Sequence, residues 1–350
     1  MLARSPEAFR LAPDLQLSCD LAINDGSKSF MMASLLLPRP TRCAARALYA
    51  FCRNADDLID QSPDPAQALD QLQKRLDAIY ADEDPAEPCD RAFQMVVRHF
   101  AIPRLLPDAL IEGFAWDAGA RTYQSFGDVK AYAARVASTV GVMMTLIMGS
   151  RDETTLARAA DLGLAMQLTN IARDVGEDAL NGRVYLPLDW LPEHQHDLGA
   201  FLSSSGDLRH VRSATRRLLE EADTLYARAL TGVAGLPLGC RIAIASAGLI
   251  YQAIGREVAG NGYDSISKRA FTSSSRKLAL VGRACLVTGL TRHHDPSPPD
   301  PAAAFLVVPC AQASAPPVRG LDAKAARMLE LIALAEIRRR ETRDSGELNA

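Results

Sequence analysis

A chain of 350 residues that is 48% hydrophobic and 23% charged has the composition of a folded globular protein and not of a disordered one. Its formal net charge of -3 offers no basic footprint, so no nucleic-acid partner is expected. Seven cysteines without a CxxC pair do not read as a disulfide framework; they fit a reducing cytoplasm, as small core residues.

The N-terminus carries no apolar run of the kind a signal peptide needs, and export is not expected. The longest apolar stretches, 136–149 and 242–254, fall short of the roughly 20 residues that span a bilayer and read as buried helices or cavity walls. Residues 1–24, with Pro6 and Pro13, lack periodicity and read as an irregular arm. Helical pattern begins after Asp25-Gly26, where Ser27 and Ser29 precede an apolar run that Pro38 and Pro40 end. Those serines suit helix capping and phosphate contact equally well.

Pro40 suits the start of the next helix, which carries Tyr49, Arg53, Asp56, Asp57 and Asp60 on one broad face amid apolar Leu48, Phe51, Leu58 and Ile59. Helices over about 66–80 and to about 100 read as scaffold, and a helix over about 107–123 leaves Glu112 and Asp117 exposed. The next, about 128–149, holds the small residues Ala133, Ala134, Ala137, Ser138 and Gly141, which permit close packing or room for a long ligand. A helix over about 153–180 follows, ended by Asn181-Gly182 and by the connector Arg183-Val-Tyr-Leu-Pro. On it Gln167, Asn170, Asp174 and Asp178 recur at spacings of three, four and four and share a face.

His194, His196 and Asp197 lie among short turns over 187–206 and are too sparse to argue a metal site. Helices resume over about 208–230, 238–259 and 267–290. The segment 291–320, rich in Pro, Ala and Ser, reads as a flexible linker to a last amphipathic helix over about 321–341, whose basic end at Arg338 to Arg340 suits either docking on the core or a membrane surface. The domain reading is thus an arm (1–24), a helical domain (25–290), a linker (291–320) and a tail (321–350).

Carboxylates in line on a helix repel one another unless a cation neutralises them, and all-oxygen ligands suit a hard ion such as Mg²⁺. Two such acidic helix faces point to a cavity between them that holds metal ions and a phosphate-bearing substrate.

Ser27-Lys-Ser-Phe30, Tyr49 to Asp60, Tyr132 to Gly141, Gln167 to Asp178 and Arg183-Val-Tyr-Leu-Pro187 resemble the squalene/phytoene synthase family, most nearly its bacterial phytoene-forming members, over about 27–290. The resemblance implies an all-α fold, the class I isoprenoid (terpenoid) synthase bundle around a central apolar cavity. It implies Mg²⁺-dependent (or Mn²⁺-dependent) head-to-head condensation of two geranylgeranyl diphosphates to phytoene through prephytoene diphosphate, with no NADPH. It implies a cytoplasmic prenyltransferase in peripheral contact with the membrane, passing its product to a downstream phytoene desaturase.

Carried over residue by residue, Asp56, Asp57, Asp60, Asn170, Asp174 and Asp178 are the metal-binding candidates. Ser27, Ser29, Tyr49, Arg53, Gln167, Arg173 and Arg269 are the substrate-binding ones, and Tyr132 and Tyr251 join the acids as catalytic candidates. Dehydrosqualene and squalene synthases, acting on farnesyl diphosphate, share these motifs. A non-catalytic isoprenoid-binding assembly factor of the same fold is the alternative from another class, although no acid of either motif is missing. A cyclase acting on one diphosphate fits less well, because the resemblance gives such enzymes a different second metal motif.

Overall fold

The computed structural model describes residues 9–24, 28–81, 83–203, 207–290 and 295–312, and every regular element among them is helical. Helices α1 (Pro13–Asn24), α2 (Lys28–Leu35), α3 (Arg39–Asp60), α4 (Pro65–Tyr80), α5 (Pro88–Phe100) and α6 (Leu105–Ala118) come first. Then α7 (Phe126–Ala133) runs through a π-helical stretch (Ala134–Ser138) into α8 (Thr139–Ile147). α9 (Glu153–Leu180), α10 (Leu198–Ser203), α11 (Arg209–Thr231), α12 (Leu238–Gly260), α13 (Ser274–Leu290) and α14 (Ala304–Gln312) complete the bundle.

α9 is its axis: 28 residues that reach about 42 Å at the helical rise, packed against α8, α11, α12, α14 and the π-helical stretch. The Asp152 carboxylate caps its start by accepting from the Thr155 amide at 2.8 Å. Gly182, at φ +72°, turns the chain out in the left-handed conformation that glycine adopts without strain. α9 presses hard on the helix before it. A Cβ at Gly163 would meet the Ser138 backbone at 2.6 Å, and one at Gly141 would meet the Ala159 carbonyl oxygen at 2.6 Å. The Ser138 hydroxyl donates to the Ala160 carbonyl at 2.7 Å across this contact. Here Ser138 and Gly141 serve close packing, while Ala137 and Gly141 also border a cavity.

α3 begins as Pro40 leads one to expect and buries Ala44, Leu48, Phe51, Ala55 and Ile59, a stripe at three- and four-residue spacing that leaves its acids at the edge. α12, at 23 residues, is long and apolar enough to cross a membrane, more than the 13-residue run read from sequence allowed. It packs between α9, α11 and α13, with 56% of its most apolar window buried, and so serves as a core helix.

Two expectations need correction. Residues 13–24 of the supposed irregular arm form α1, whose Leu15, Cys19 and Ile23, four apart, are buried, and which packs on α3 and α5. The supposed linker is ordered over its described part, 295–312: Leu306, Val307 and Cys310 of α14 are fully buried, and α14 lies on α8 and α9. Composition gave the wrong impression in both places, because three apolar residues on one face suffice to dock a short helix on an existing core. Boundaries differ too: the helix expected to reach 123 ends at Ala118, and the one expected from 267 starts at Ser274. The helix expected over 321–341 lies outside the described residues.

Candidate active site

Between α3, α8, α9 and α12 runs a cavity of about 340 Å³ with an almost wholly apolar wall. Tyr49, Gln167, Asn170 and Tyr251 line one end, and from there the cavity follows α9 down past Met166, Gly163 and Leu162. Asn170 donates its Nδ2 to Gln167 Oε1 at 3.4 Å, while its buried Oδ1 has no hydrogen-bond partner among the described residues.

At this polar end the two acidic helices meet electrostatically. Burial first, then repulsion from Asp60, pushes the Asp56 carboxyl up to about 6. Burial and then Asp174 push Asp178 up to about 7. Asp117, at the end of α6, adds to both shifts and so stands between the two motifs. It is not the exposed residue that the sequence led us to expect. Its Oδ2 accepts from the Tyr132 hydroxyl at 2.8 Å and its Oδ1 from the Tyr185 hydroxyl at 2.7 Å. Burial raises its own pKa, and these two donors pull against that rise.

Arginines answer part of the charge. Arg53 reaches Asp57 at 2.7 Å and Asp56 at 3.3 Å, and Arg183 reaches Asp60 at 2.7 Å from across the site. Arg173 Nε donates to Asp174 at 2.8 Å, and Arg269 pairs with Asp174 at 3.1 Å and with Glu177 at 3.0 Å. Arg269 is brought there by the loop 261–273, which lies against α9 where Gly176 leaves room. The Gly176 amide donates to the Ser265 carbonyl at 3.2 Å, and a Cβ at Gly176 would stand 2.9 Å from the Ile266 Cα.

The donor set suits a divalent cation in one particular way. Among the described residues no three His, Cys, Asp or Glu side chains lie close enough to hold an ion by themselves. Mg²⁺ is ordinarily held by one or two carboxylates completed by substrate phosphates and water. Carboxyls pushed up by one another's charge and an unpartnered amide oxygen fit such a shared site.

Residues 23–277 match the squalene/phytoene synthase family. This chain belongs to that family. It is 48% identical over 320 residues to a phytoene synthase of Cereibacter sphaeroides, covering 87% of this chain and 89% of that one. It is 50% identical over 309 residues to a phytoene synthase of Rhodobacter capsulatus, covering 86% and 91%. Among solved structures, a dehydrosqualene synthase in complex with ligand superposes with a TM-score of 0.69 at 30% identity, covering 78% of this chain and 96% of that chain. The all-α isoprenoid synthase fold expected from the motifs is the fold observed.

The structure brings some of the family-motif residues together and separates others. Tyr49, Gln167, Asn170 and Tyr251 share the cavity wall, Asp56, Asp60 and Asp178 converge on Asp117, and Asp174 stands beside Asp178 with Arg173 and Arg269. Asp57 faces instead, with Arg53 and Asn54, a separate recess bordered by Ser18 and Glu87. Tyr132 does not line the cavity; it is buried in an aromatic stack with Tyr123 and Tyr185, 5.3 and 5.0 Å away between ring centres. Ser27 and the side chain of Ser29 lie outside the described residues. Among the described residues, His196 makes its hydrogen bonds to the backbone carbonyls of Leu188 and Leu191, in keeping with the weak case for a histidine metal site. Asp117, Arg183 and Tyr185 were not singled out as site residues from the sequence, although Arg183 and Tyr185 lie in one of the motifs that carry the resemblance.

Proposed function

We infer that this chain is a phytoene synthase, a prenyltransferase that joins two geranylgeranyl diphosphates head to head and releases both diphosphates. The observation that carries the reading is the juxtaposition of two acidic helices and an apolar cavity in a chain about half identical, over most of its length, to bacterial phytoene synthases. The prenyl tails occupy the cavity, whose apolar wall excludes water from the cation left when a C–O bond breaks. Asp56, Asp60, Asp174 and Asp178, with Asn170, would hold Mg²⁺ or Mn²⁺, which would supply a Lewis acid to offset charge on the departing diphosphate.

Arg53, Gln167, Arg173 and Arg269, with Ser27 and Ser29, hold diphosphate oxygens. Arg173 and Arg269 already sit on Asp174, so phosphate and carboxylate share the same guanidinium groups. Asp57 keeps Arg53 in place. Tyr49 and Tyr251 turn ring faces to the passing cation, and Tyr132, with Tyr185, aims the Asp117 carboxylate between the motifs. No NADPH is required. The product is a hydrocarbon, so peripheral membrane contact and passage to a phytoene desaturase follow from its chemistry. Exposed Phe271, Leu278 and Leu286 beside Lys268 and Arg283, in a segment without acids over 265–290, support such contact.

The test supplies purified protein with geranylgeranyl or farnesyl diphosphate and Mg²⁺, with and without chelator, and identifies the extracted hydrocarbon. A chelator-sensitive C40 triene without NADPH is expected. A C30 product would move the substrate to farnesyl diphosphate, the reading that likeness to a dehydrosqualene synthase favours. Binding without product would favour the non-catalytic alternative.

A further inference from the structure

Away from the acidic mouth the cavity is closed by Met148, Thr155, Arg158, Gly232, Val233 and Leu236, with Arg158 about 18 Å along α9 from Asn170 at the helical rise. An arginine is a strange floor for an apolar cavity. This one is 1% exposed, and its stem lies so close to Gly232 that a Cβ there would come within 2.2 Å of the Arg158 Cβ. Five N–H donors buried this deeply need acceptors. Asp161, one turn along α9, answers the charge as an ion pair 2.8 Å from Nε, without the alignment of a hydrogen bond.

The remaining acceptors come from the segment that composition reads as a linker. Nη1 donates to the Asp295 carbonyl at 3.0 Å and lies 3.2 Å from its carboxylate, while Nη2 donates to the carbonyls of Ser297 at 3.1 Å and Pro298 at 3.2 Å. Proline-rich chain is suited to this, because its carbonyls are not consumed by a helix or a sheet. Arg228 fastens the same segment to α11, donating to Pro298 at 3.0 Å and lying 3.4 Å from Asp161. Farther along, Asp300 pairs with Lys130 at 2.9 Å, and the buried face of α14 holds the other end.

We propose that Arg158, held in place by residues 295–298, sets the depth of the prenyl cavity and thereby the longest chain the enzyme accepts. The inference rests on the prenyl-binding part of the proposed function. Asp295 is a positioning residue that acts through Arg158, and Gly232 gives the arginine stem its place. Releasing the guanidinium lets the stem swing out and lengthens the cavity; crowding Gly232 drives the stem inward and shortens it.

The test uses the full chain with Mg²⁺ and the C15, C20 and C25 prenyl thiolodiphosphates as binding probes, alongside kcat/KM for the three diphosphates. Asp295→Ala, at a side chain 25% exposed, is expected to raise the C25-to-C20 ratio of affinities at least about tenfold, the scale on which small changes of apolar fit discriminate. Asp295→Asn, which keeps an acceptor oxygen, should restore most of the original ratio. Gly232→Ala should weaken C25 first, C20 next and C15 least. A shift by one common factor for all three lengths in both alanine variants would overturn the proposal, since a merely structural role moves them together. Wild-type protein that binds the probes but forms no hydrocarbon removes the catalytic reading and leaves the length ratios as the test of the floor. Wild-type protein that binds none of the three overturns both.

Discussion

Replacing Gly163 by alanine sets two effects of opposite sign against each other. In the interior of a helix the exchange ordinarily stabilises by about 1 kcal/mol, since alanine has the higher helix propensity. At this position the new methyl would sit 2.6 Å from the Cα and N of Ser138, against an ordinary contact of about 3.5–4.0 Å, so α9 and the π-helical stretch must separate by about 1 Å. The obstacle is backbone, and no rotamer change relieves it. Overpacking of this kind costs typically about 1–3 kcal/mol, and a backbone obstacle belongs at the upper end, which leaves a net loss of about 1–2 kcal/mol. Urea denaturation of the full chain reads this as a lower midpoint at unchanged slope. Gly282→Ala, on α13 with nothing within 4 Å of its added Cβ, is the internal control and should gain up to about 1 kcal/mol. Because Gly163 and Ala137 both border the cavity, the displaced wall should also lower kcat/KM in Gly163→Ala. A Gly163→Ala protein as stable as wild type would refute the packing argument.

Three further outcomes follow from the geometry. Asp178→Asn should lower turnover by roughly 10²–10³-fold, as the loss of one preorganised transition-state contact does, and yet stabilise the metal-free protein at pH 8. Its carboxyl is pushed up to about 7, so the cost of ionising it in the fold is complete above pH 7 and absent below about pH 4; the gain, on the order of 2 kcal/mol after screening, should shrink in melts repeated at pH 5, and a gain independent of pH would count against it. Asp90→Ala removes a carboxylate 1% exposed that takes two contacts from Arg75, at 2.7 and 2.8 Å; unfolding in urea should show a loss of about 3–5 kcal/mol, and an unchanged midpoint would contradict that estimate. Asp117→Ala strands the hydroxyls of Tyr132 and Tyr185 and should cost about 1–3 kcal/mol for each left unsatisfied, with kcat falling more than KM rises; kinetics unchanged beside a lower melting temperature would confine Asp117 to a structural role.

The parts of the site legible in the sequence are those written on single helices. Asp174 and Asp178 are four apart on α9, Asp56 and Asp60 four apart on α3, and helical spacing alone is enough to place each pair on a face. The end of α9 could be read for a similar reason, since Asn181-Gly182 is a local signal. Asp117 could not be read this way. It ends an apolar helix, and its role comes from Tyr132 and Tyr185, which are 15 and 68 residues away and belong to other elements. Nor did spacing distinguish Asp57 from its neighbours, because the face of α3 that turns to the cavity is chosen by packing against α1 and α5.

The segment after α13 carries the same argument to the opposite end of the molecule. Prolines and alanines describe a chain that lacks regular hydrogen bonding, and that is also the chain whose free carbonyls a buried guanidinium can use. Arg158 and residues 295–298 satisfy each other across more than 130 positions, as the hydrogen-bond separations of 137 to 140 show. Each half looks unremarkable alone: an arginine on the first turns of a long helix, and a run of proline and serine. The resemblance implies the same motifs in synthases of either substrate length, so on the proposal above discrimination between them comes from the remainder of the cavity, where the residues in contact are contributed by distant stretches. Local pattern therefore carries the chemistry of the family, and long-range pairing carries the selectivity of this member.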